Sequence, residues 1–163
     1  MPDLNKVQEK LNTFTDDFQS LVISSITDEH EPFASYAPFV KHNNHYYFII
    51  SKIAKHYLNM LQHPIISIFF LEDEQKAVNV FFRRRLSYLV KTTFDTEAEV
   101  KDAFSQKFGE FVNRLFLMDF VMVKCEVISG HFVIGAGQAY DIDAHEKVAN
   151  QMTGNSGKGH QKA

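Results

Sequence analysis

The chain has 163 residues, of which 45% are hydrophobic and 16 are phenylalanine, so we expect one globular domain with a sizeable core. The net charge of −3 argues against a nucleic-acid-binding protein held by bulk charge, and no apolar run approaches the roughly 20 residues that span a bilayer. The single cysteine, Cys125, excludes an internal disulfide framework, and the first residues lack the pattern of a signal peptide. These features predict a soluble, cytoplasmic domain without membrane insertion.

Hydrophobic spacing predicts helices in three parts of the chain. In the first, apolar residues recur every three or four positions, as they do along one buried helix face. Ser51 is a candidate N-cap of the second helix, and His63-Pro64 is its stop signal. The helices are expected at residues 4–21, 53–62 and 96–108, with a continuation of the last one to Arg114 left open.

Segments rich in β-branched and aromatic residues predict at least six strands. Ser129-Gly130 is expected to turn the chain between the last two of them. With few long helices, this pattern predicts a mainly β fold with flanking helices, built as a small antiparallel barrel. The strands are expected at residues 21–25, 33–40, 45–50, 65–71, about 80–92, 120–128 and 131–140.

One predicted hairpin has an unusual composition. Its strands flank the Asn-rich turn at 41–44, and its first strand contains Ser35, Tyr36 and Pro38. A core strand favours aliphatic side chains without hydroxyl groups that need partners. We therefore expect this hairpin to face a ligand or an interface as well as the core.

The end of the chain differs in composition from the rest. Gly154, Gly157 and Gly159 predict a flexible tail at 151–163, which follows a single domain at 1–150.

Several short sequences occur in order along most of the chain. They are Ala34-Ser35-Tyr36-Ala37-Pro38-Phe39, Ser51 to Asn59, Glu72-Asp73-Glu74 with Arg83 to Tyr88, Asp119-Phe120 with Gly135 to Tyr140, and Gly159-His160. In this order they resemble the motifs of the HutZ/HugZ-type haem-utilisation proteins, a branch of the pyridoxamine 5′-phosphate oxidase-like split β-barrels. The resemblance covers residues 20–163.

The resemblance implies an antiparallel split β-barrel, similar to the FMN-binding split barrels, that forms a homodimer. It also implies that haem binds between the protomers as both cofactor and substrate. With O₂ and an external electron donor, such a protein opens the haem ring and releases iron.

The resemblance assigns His160 as the axial ligand of the haem iron, a role for which imidazole nitrogen is well suited. It assigns Asp119 to orient His160, because an iron-bound imidazole usually donates its other N–H to a carboxylate or carbonyl. The alternatives are a solvated tail histidine and a solvent-exposed aspartate at the start of a strand.

The basic run Arg83-Arg84-Arg85 is expected inside the strand at 80–92, where alternation would place Arg83 and Arg85 on one face. The resemblance favours these two residues as ligands of an anion, which would be a haem propionate or an FMN phosphate. The alternative is an edge strand protected by charge.

His56 and Ser35 complete the predicted cofactor-binding residues. The resemblance places His56 near the ligand, and the alternative is a half-buried helix histidine; Ser35 belongs to the first motif. Two positions depart from the family pattern, Ala136 in place of an aromatic residue and His131 in place of an arginine. These departures leave dimer packing and the shape of the ligand site open.

Two other functions remain open. An FMN-dependent oxidoreductase of the same fold needs a phosphate site but no histidine in the tail. A non-catalytic haem carrier or storage protein shares the ligand chemistry without turnover.

Overall fold

The computed structural model of the chain describes residues 2–95 and 97–152. In this part of the chain no helix is long and apolar enough to cross a membrane. The helices there are α1 (Leu4–Phe14), α2 (Lys55–Gln62), α3 (Ala98–Phe108) and α4 (Val112–Phe116). The strands are β1 (Ser20–Ile26), β2 (Pro32–His42), β3 (His45–Ser51), β4 (Ile65–Leu71), β5 (Arg85–Asp95), β6 (Phe120–Gly135), β7 (Gln138–Ile142) and β8 (Val148–Gln151).

Six antiparallel strands close into a barrel in the order β3-β2-β1-β4-β5-β6, because β3 also pairs with β6. Strand β6 is long enough to pair with two strands along one edge, while its other edge pairs with β5. Its first part, 120–125, pairs with β3, whereas its last part, 130–135, pairs with β7. Strands β7 and β8 therefore extend the sheet beyond the barrel, and the predicted mainly β barrel with flanking helices is confirmed.

Alternating apolar side chains fill the barrel, and each large one contributes about 1.5–3 kcal/mol on burial. Ile68, Phe70 and Leu86 are fully buried in this interior. Strand β3 is buried on both faces, because Phe48 faces the barrel while Tyr47 packs in a second cluster with residues of α3. This double burial accounts for its nearly continuous apolar sequence.

Two predicted helix limits are wrong. Helix α1 ends at Phe14, and a 3₁₀ turn (Thr15–Asp17) separates it from β1, which takes Leu21 into the barrel core. The apolar spacing seen up to Leu21 therefore joins a helix face to a strand face. Helix α2 begins at Lys55 without a side-chain cap, so Ser51 is not its N-cap.

The predicted turn at Ser129-Gly130 is also wrong, because β6 runs through it without interruption. The chain turns later, at Gly137, whose φ of 67° lies in the left-handed region that favours glycine. Gly130 serves packing instead: a Cβ there would lie 2.4 Å from Cδ1 of Tyr88. The ring of Tyr88 thus occupies the space that any larger residue would need.

The segment before β5 differs from the predicted strand. Val80–Phe82 forms a 3₁₀ turn and β5 begins only at Arg85, so Arg83 and Arg84 lie outside the strand. The prediction that alternation places Arg83 and Arg85 on one strand face is therefore wrong. In addition, α3 ends at Phe108, as predicted, and α4 is a separate helix, so the chain does not continue to Arg114 as one helix.

Candidate functional site

Asp119 is fixed at the point where β3 ends and β6 begins. The Ser51 hydroxyl donates a hydrogen bond of 2.5 Å to Oδ2 of Asp119, and the Lys52 backbone N–H donates to the Asp119 carbonyl at 3.0 Å. Ser51 itself accepts a hydrogen bond from the Ile53 backbone N–H. Among the described residues, Oδ1 of Asp119 makes no hydrogen bond. The structure therefore presents a half-buried carboxylate with one oxygen held and the other available.

Apolar side chains adjoin this carboxylate along the chain. Ile53, Leu117 and Met118 have 85%, 88% and 66% of their surface exposed. Large apolar residues that are this exposed and grouped around a fixed polar group commonly mark an interaction or ligand site. The surface formed by these three residues with Ser51 and Asp119 is called the Asp119 face below.

His56 and Ser35, both predicted as cofactor-binding residues, contact each other. The Nδ1 atom of His56 lies 2.8 Å from the Ser35 hydroxyl, which joins α2 to β2 by a hydrogen bond. Burial lowers the pKa of the half-buried His56, which favours the neutral imidazole. The adjoining bond from Asn59 to the Ser25 hydroxyl, at 3.0 Å, also fastens α2 to the barrel. The same geometry thus supports the alternative of a histidine that positions its helix.

The three arginines form most of their hydrogen bonds and ion pairs with residues of the loop between β4 and β5. The Arg83 guanidinium donates to the Glu72 carbonyl, at 2.8 Å from Nε, and to the Glu74 carboxylate at 3.3 Å. Arg84 pairs with the Glu72 carboxylate, and Arg85 uses Nη1 to donate to the Arg83 carbonyl at 3.0 Å. Within the described residues, Nε and Nη2 of Arg85 make no hydrogen bond. Of the two predicted anion ligands, Arg85 therefore retains more free donors than Arg83.

A cleft of about 670 Å³ lies beside this loop. Phe14, Phe18 and Leu71 supply apolar walls, and Arg83 and Arg84 supply the basic rim. The residues that line it include neither Asp119 nor His56. Of the predicted site residues that the structure describes, Arg83 lines this cleft, whereas Ser35, His56, Arg85 and Asp119 do not.

The register of β5 and β6 explains this separation. Arg85 pairs with Val133 near the end of β6, whereas Asp95 pairs with Met122 near its start, close to Asp119. A strand rises about 3.3 Å per residue, so β5 spans roughly 30 Å from Arg85 to Asp95, and Asp119 lies three residues before Met122, the partner of Asp95. Arg85 and Asp119 therefore lie at opposite ends of the β5–β6 pair.

The two departures from the family pattern lie in and near the β6–β7 hairpin. His131, on β6, pairs with the Asp141 carboxylate on β7, with Nδ1 3.0 Å from Oδ1. Ala136 lies in the turn between these strands. Among the described residues, no group of three or more His, Cys, Asp or Glu side chains is arranged to hold a metal ion.

His160 and the predicted flexible tail fall outside the described residues, so both assignments stay predictions. Sequence reasoning missed the role of Ser51, which it interpreted as a helix cap. The available signal was that Ser51 ends the strand whose neighbour begins after Asp119, but this signal requires the β3–β6 pairing to be known.

Comparisons with known proteins agree with this architecture. A putative pyridoxamine 5′-phosphate oxidase from Listeria innocua matches 77% of this chain and 97% of its own, with a TM-score of 0.59 at 13% identity. The closed barrel with flanking helices therefore has the split-barrel fold of the pyridoxamine phosphate oxidase-like proteins.

Closer relatives define the branch. The crystal structure of Campylobacter jejuni ChuZ is 33% identical, covers 99% of this chain and 70% of its own, and has a TM-score of 0.84. The curated heme oxygenase HutZ of Vibrio cholerae is 30% identical over 149 residues, which are 88% of this chain and 85% of HutZ. A HutZ crystal structure from the same species, described as a heme storage protein, has a TM-score of 0.67 at 28% identity, over 72% of this chain and 87% of its own. The chain belongs to the HutZ family of haem-utilisation proteins; no general protein-family model matches it.

Proposed function

We propose that this protein binds haem and opens its ring with O₂ and electrons from an external donor, releasing iron for use. The observation that carries the proposal is the Asp119 face, where Ser51 holds one carboxylate oxygen and exposed apolar side chains adjoin it. A flat, largely apolar macrocycle with a metal-bound imidazole would suit such a surface. Membership of the HutZ family supports haem as this ligand.

The residues would divide the work between ligation and orientation. His160 would ligate the iron, and Oδ1 of Asp119 would accept the second N–H of its imidazole, which fixes the ring and raises its basicity. Ile53 and Met118 would contact the macrocycle and exclude water. When bound, haem supplies the oxygen-activating chemistry, while the chain supplies the axial ligand and the surrounding shell.

The propionates would bind at the arginine loop. Arg85 has the free N–H donors that a carboxylate needs, and guanidinium binds carboxylates in a bidentate manner. Arg83 would have to exchange its bonds to Glu72 and Glu74 for such a role. We therefore rank Arg85 before Arg83 as the anion ligand.

A homodimer would bring these parts together. Because Arg85 and Asp119 lie at opposite ends of the β5–β6 pair on one protomer, a single haem would contact both if they come from different protomers. Exposed apolar residues on neighbouring strands support such an interface: Val22 on β1 pairs with Tyr36 on β2, and Leu89 on β5 is also exposed.

Mixing variants tests the dimer. Arg85→Ala and Asp119→Ala protomers, each weakened in haem binding, should regain part of the wild-type affinity when they are unfolded together and refolded. A mixed dimer would contain one site with both residues intact. Separate refolding and later mixing is the control, and equal affinity in both samples would contradict the shared site.

A hemin titration followed by visible spectroscopy tests the proposed function. We expect a saturable Soret band that shifts or weakens in His160→Ala and stays unchanged in His145→Ala, a control on the exposed β7–β8 turn. Ascorbate in air should then replace the Soret band with absorption typical of a ring-opened tetrapyrrole.

HutZ is described both as a heme oxygenase and as a heme storage protein, which supports a second candidate function, haem storage without turnover. A Soret band that persists after ascorbate would favour storage. Absence of a saturable band would contradict both haem functions, and a flavin spectrum of the purified protein would favour the FMN-dependent alternative.

A further inference from the structure

The half-buried Glu146 carboxylate accepts hydrogen bonds from two buried tyrosine hydroxyls and also pairs with the Lys41 ammonium, whose Nζ lies 3.2 Å from Oε2. Tyr46 and Tyr88 are 1% and 0% exposed, and both donate to Oε1 of Glu146, at 2.7 Å and 2.9 Å. The two ring centroids are 5.7 Å apart. This group, called the Tyr46–Tyr88–Glu146 triad, has no part in the haem-binding function proposed above.

The turn between β7 and β8 is built to place Glu146 there. Glu146 has a φ of 57°, a strained value for a residue with a side chain, and the Gln8 amide donates to its carbonyl at 3.0 Å. Asp143 Oδ1 accepts the backbone N–H groups of His145 and Lys147 in the same turn. The backbone of Glu146 is thus strained in the conformation that places its carboxylate beside the two phenols.

The environment favours phenols that keep their protons until they are oxidised. Burial, with the nearby negative charges, raises the pKa of both tyrosines, so a phenolate is not available at neutral pH. A phenol that loses an electron becomes a strong acid and must release its proton at once. A base within hydrogen-bond distance, here Oε1 of Glu146, can receive it.

We propose that the Tyr46–Tyr88–Glu146 triad is a one-electron oxidation site that stores an oxidising equivalent inside the barrel. One electron passes from a phenol to a strong one-electron oxidant, such as a high-valent metal complex or a peroxide-derived radical. The phenolic proton moves to the Glu146 carboxylate, which leaves a neutral phenoxyl radical and a neutral carboxylic acid. Reduction by one electron returns the proton to the phenoxyl oxygen.

The second phenol and the packing stabilise the product. After the proton has moved, the remaining tyrosine still supplies an O–H donor beside the phenoxyl oxygen. The ring of Tyr88 packs tightly against Gly130, and both phenols are inaccessible to a second protein radical. Radical decay by coupling between molecules should therefore be slow. The exposed Tyr36 has no such protection, since 67% of it is exposed.

Photo-oxidation of the haem-free protein tests the proposal. Ruthenium(III) tris-bipyridyl is generated by a flash in a Tyr36→Phe background, and the tyrosyl radical is measured by electron paramagnetic resonance. We expect a long-lived signal whose yield falls about 10-fold or more in Glu146→Gln and in Tyr46→Phe/Tyr88→Phe. Tyr140→Phe is the matched control, because Tyr140 is 2% exposed but makes no hydrogen bond to a carboxylate among the described residues.

An unchanged radical yield and lifetime in Glu146→Gln, or an equal loss in Tyr140→Phe, would overturn the proposal. If the variants fail to fold, the comparison of H₂O with D₂O in the Tyr36→Phe protein decides. Oxidation coupled to proton transfer should be slower in D₂O, and equal rates would overturn the assignment. Neither measurement requires haem, so failure of the triad proposal can be distinguished from failure of the haem-binding proposal.

Discussion

Replacing Ser51 with alanine should weaken haem binding through Asp119. The change removes the 2.5 Å hydrogen bond to Oδ2 and leaves the carboxylate free to rotate. Hydrogen bonds to charged groups contribute about 1.5–3 kcal/mol, and water can replace part of this at the half-buried Asp119. We therefore expect a loss of about 1 kcal/mol, which is about a 5-fold increase in Kd. Loss of Asp119 itself should cost about 10–100-fold, as is typical for partners of a metal-bound histidine.

A double-mutant cycle separates this mechanism from a general loss of stability. Hemin Kd is measured for the wild type, Ser51→Ala, Asp119→Ala and the double variant, with Ser24→Ala as the exposed-serine control. If Ser51 acts through Asp119, Ser51→Ala should have no further effect in the Asp119→Ala background. Additive losses in the double variant, or a wild-type Kd in Ser51→Ala, would refute the reasoning.

Three further predictions concern stability, and urea unfolding measures each one. Gly130→Ala places a Cβ 2.4 Å from the ring of Tyr88 and should cost about 1–3 kcal/mol, whereas Gly135→Ala meets only the flexible end of a glutamine at 3.3 Å and should cost less. Phe70→Ala should cost about 3–5 kcal/mol, because its side chain is fully buried. Burial holds the pKa of His56 below its ordinary 6.5, so the unfolded chain takes up a proton at this histidine before the folded chain does. The free energy of unfolding should therefore fall as the pH drops below about 6.5, and it should fall less in His56→Gln.

Strand and helix types were largely predictable because local patterns determine them. The run from Ile65 to Leu71 alternates in burial as a barrel strand should, and the predicted and observed strands coincide. Errors arose where one residue type serves two purposes. The pair Ser129-Gly130 is typical of a turn, but Gly130 lies within β6 and leaves space for the ring of Tyr88. This contact between neighbouring strands cannot be seen in the local sequence.

The candidate site was predictable as a set of residues but not as an arrangement. Ser35 and His56 lie 21 positions apart in sequence and meet only because α2 packs beside the barrel. Ser51 and Asp119 are separated by 68 positions and meet through closure of the barrel between β3 and β6. The run of arginines suggested a strand with alternating faces, whereas Arg83 and Arg84 pair with Glu74 and Glu72 in the loop before β5.

The length of β5 gives the arrangement a functional consequence. The strand separates the arginine loop from the Asp119 face, with half-buried groups of opposite charge, Arg85 and Asp119, near its two ends. A ligand with a metal centre and carboxylate groups requires, at one point, a metal-binding imidazole that is oriented by a protein carboxylate. At another point it requires cationic hydrogen-bond donors for its own carboxylates. On one barrel these two points lie at opposite ends of the β5–β6 pair. In the dimer proposed above each barrel would supply one of them, so we expect haem affinity to depend on protein association as well as on each residue.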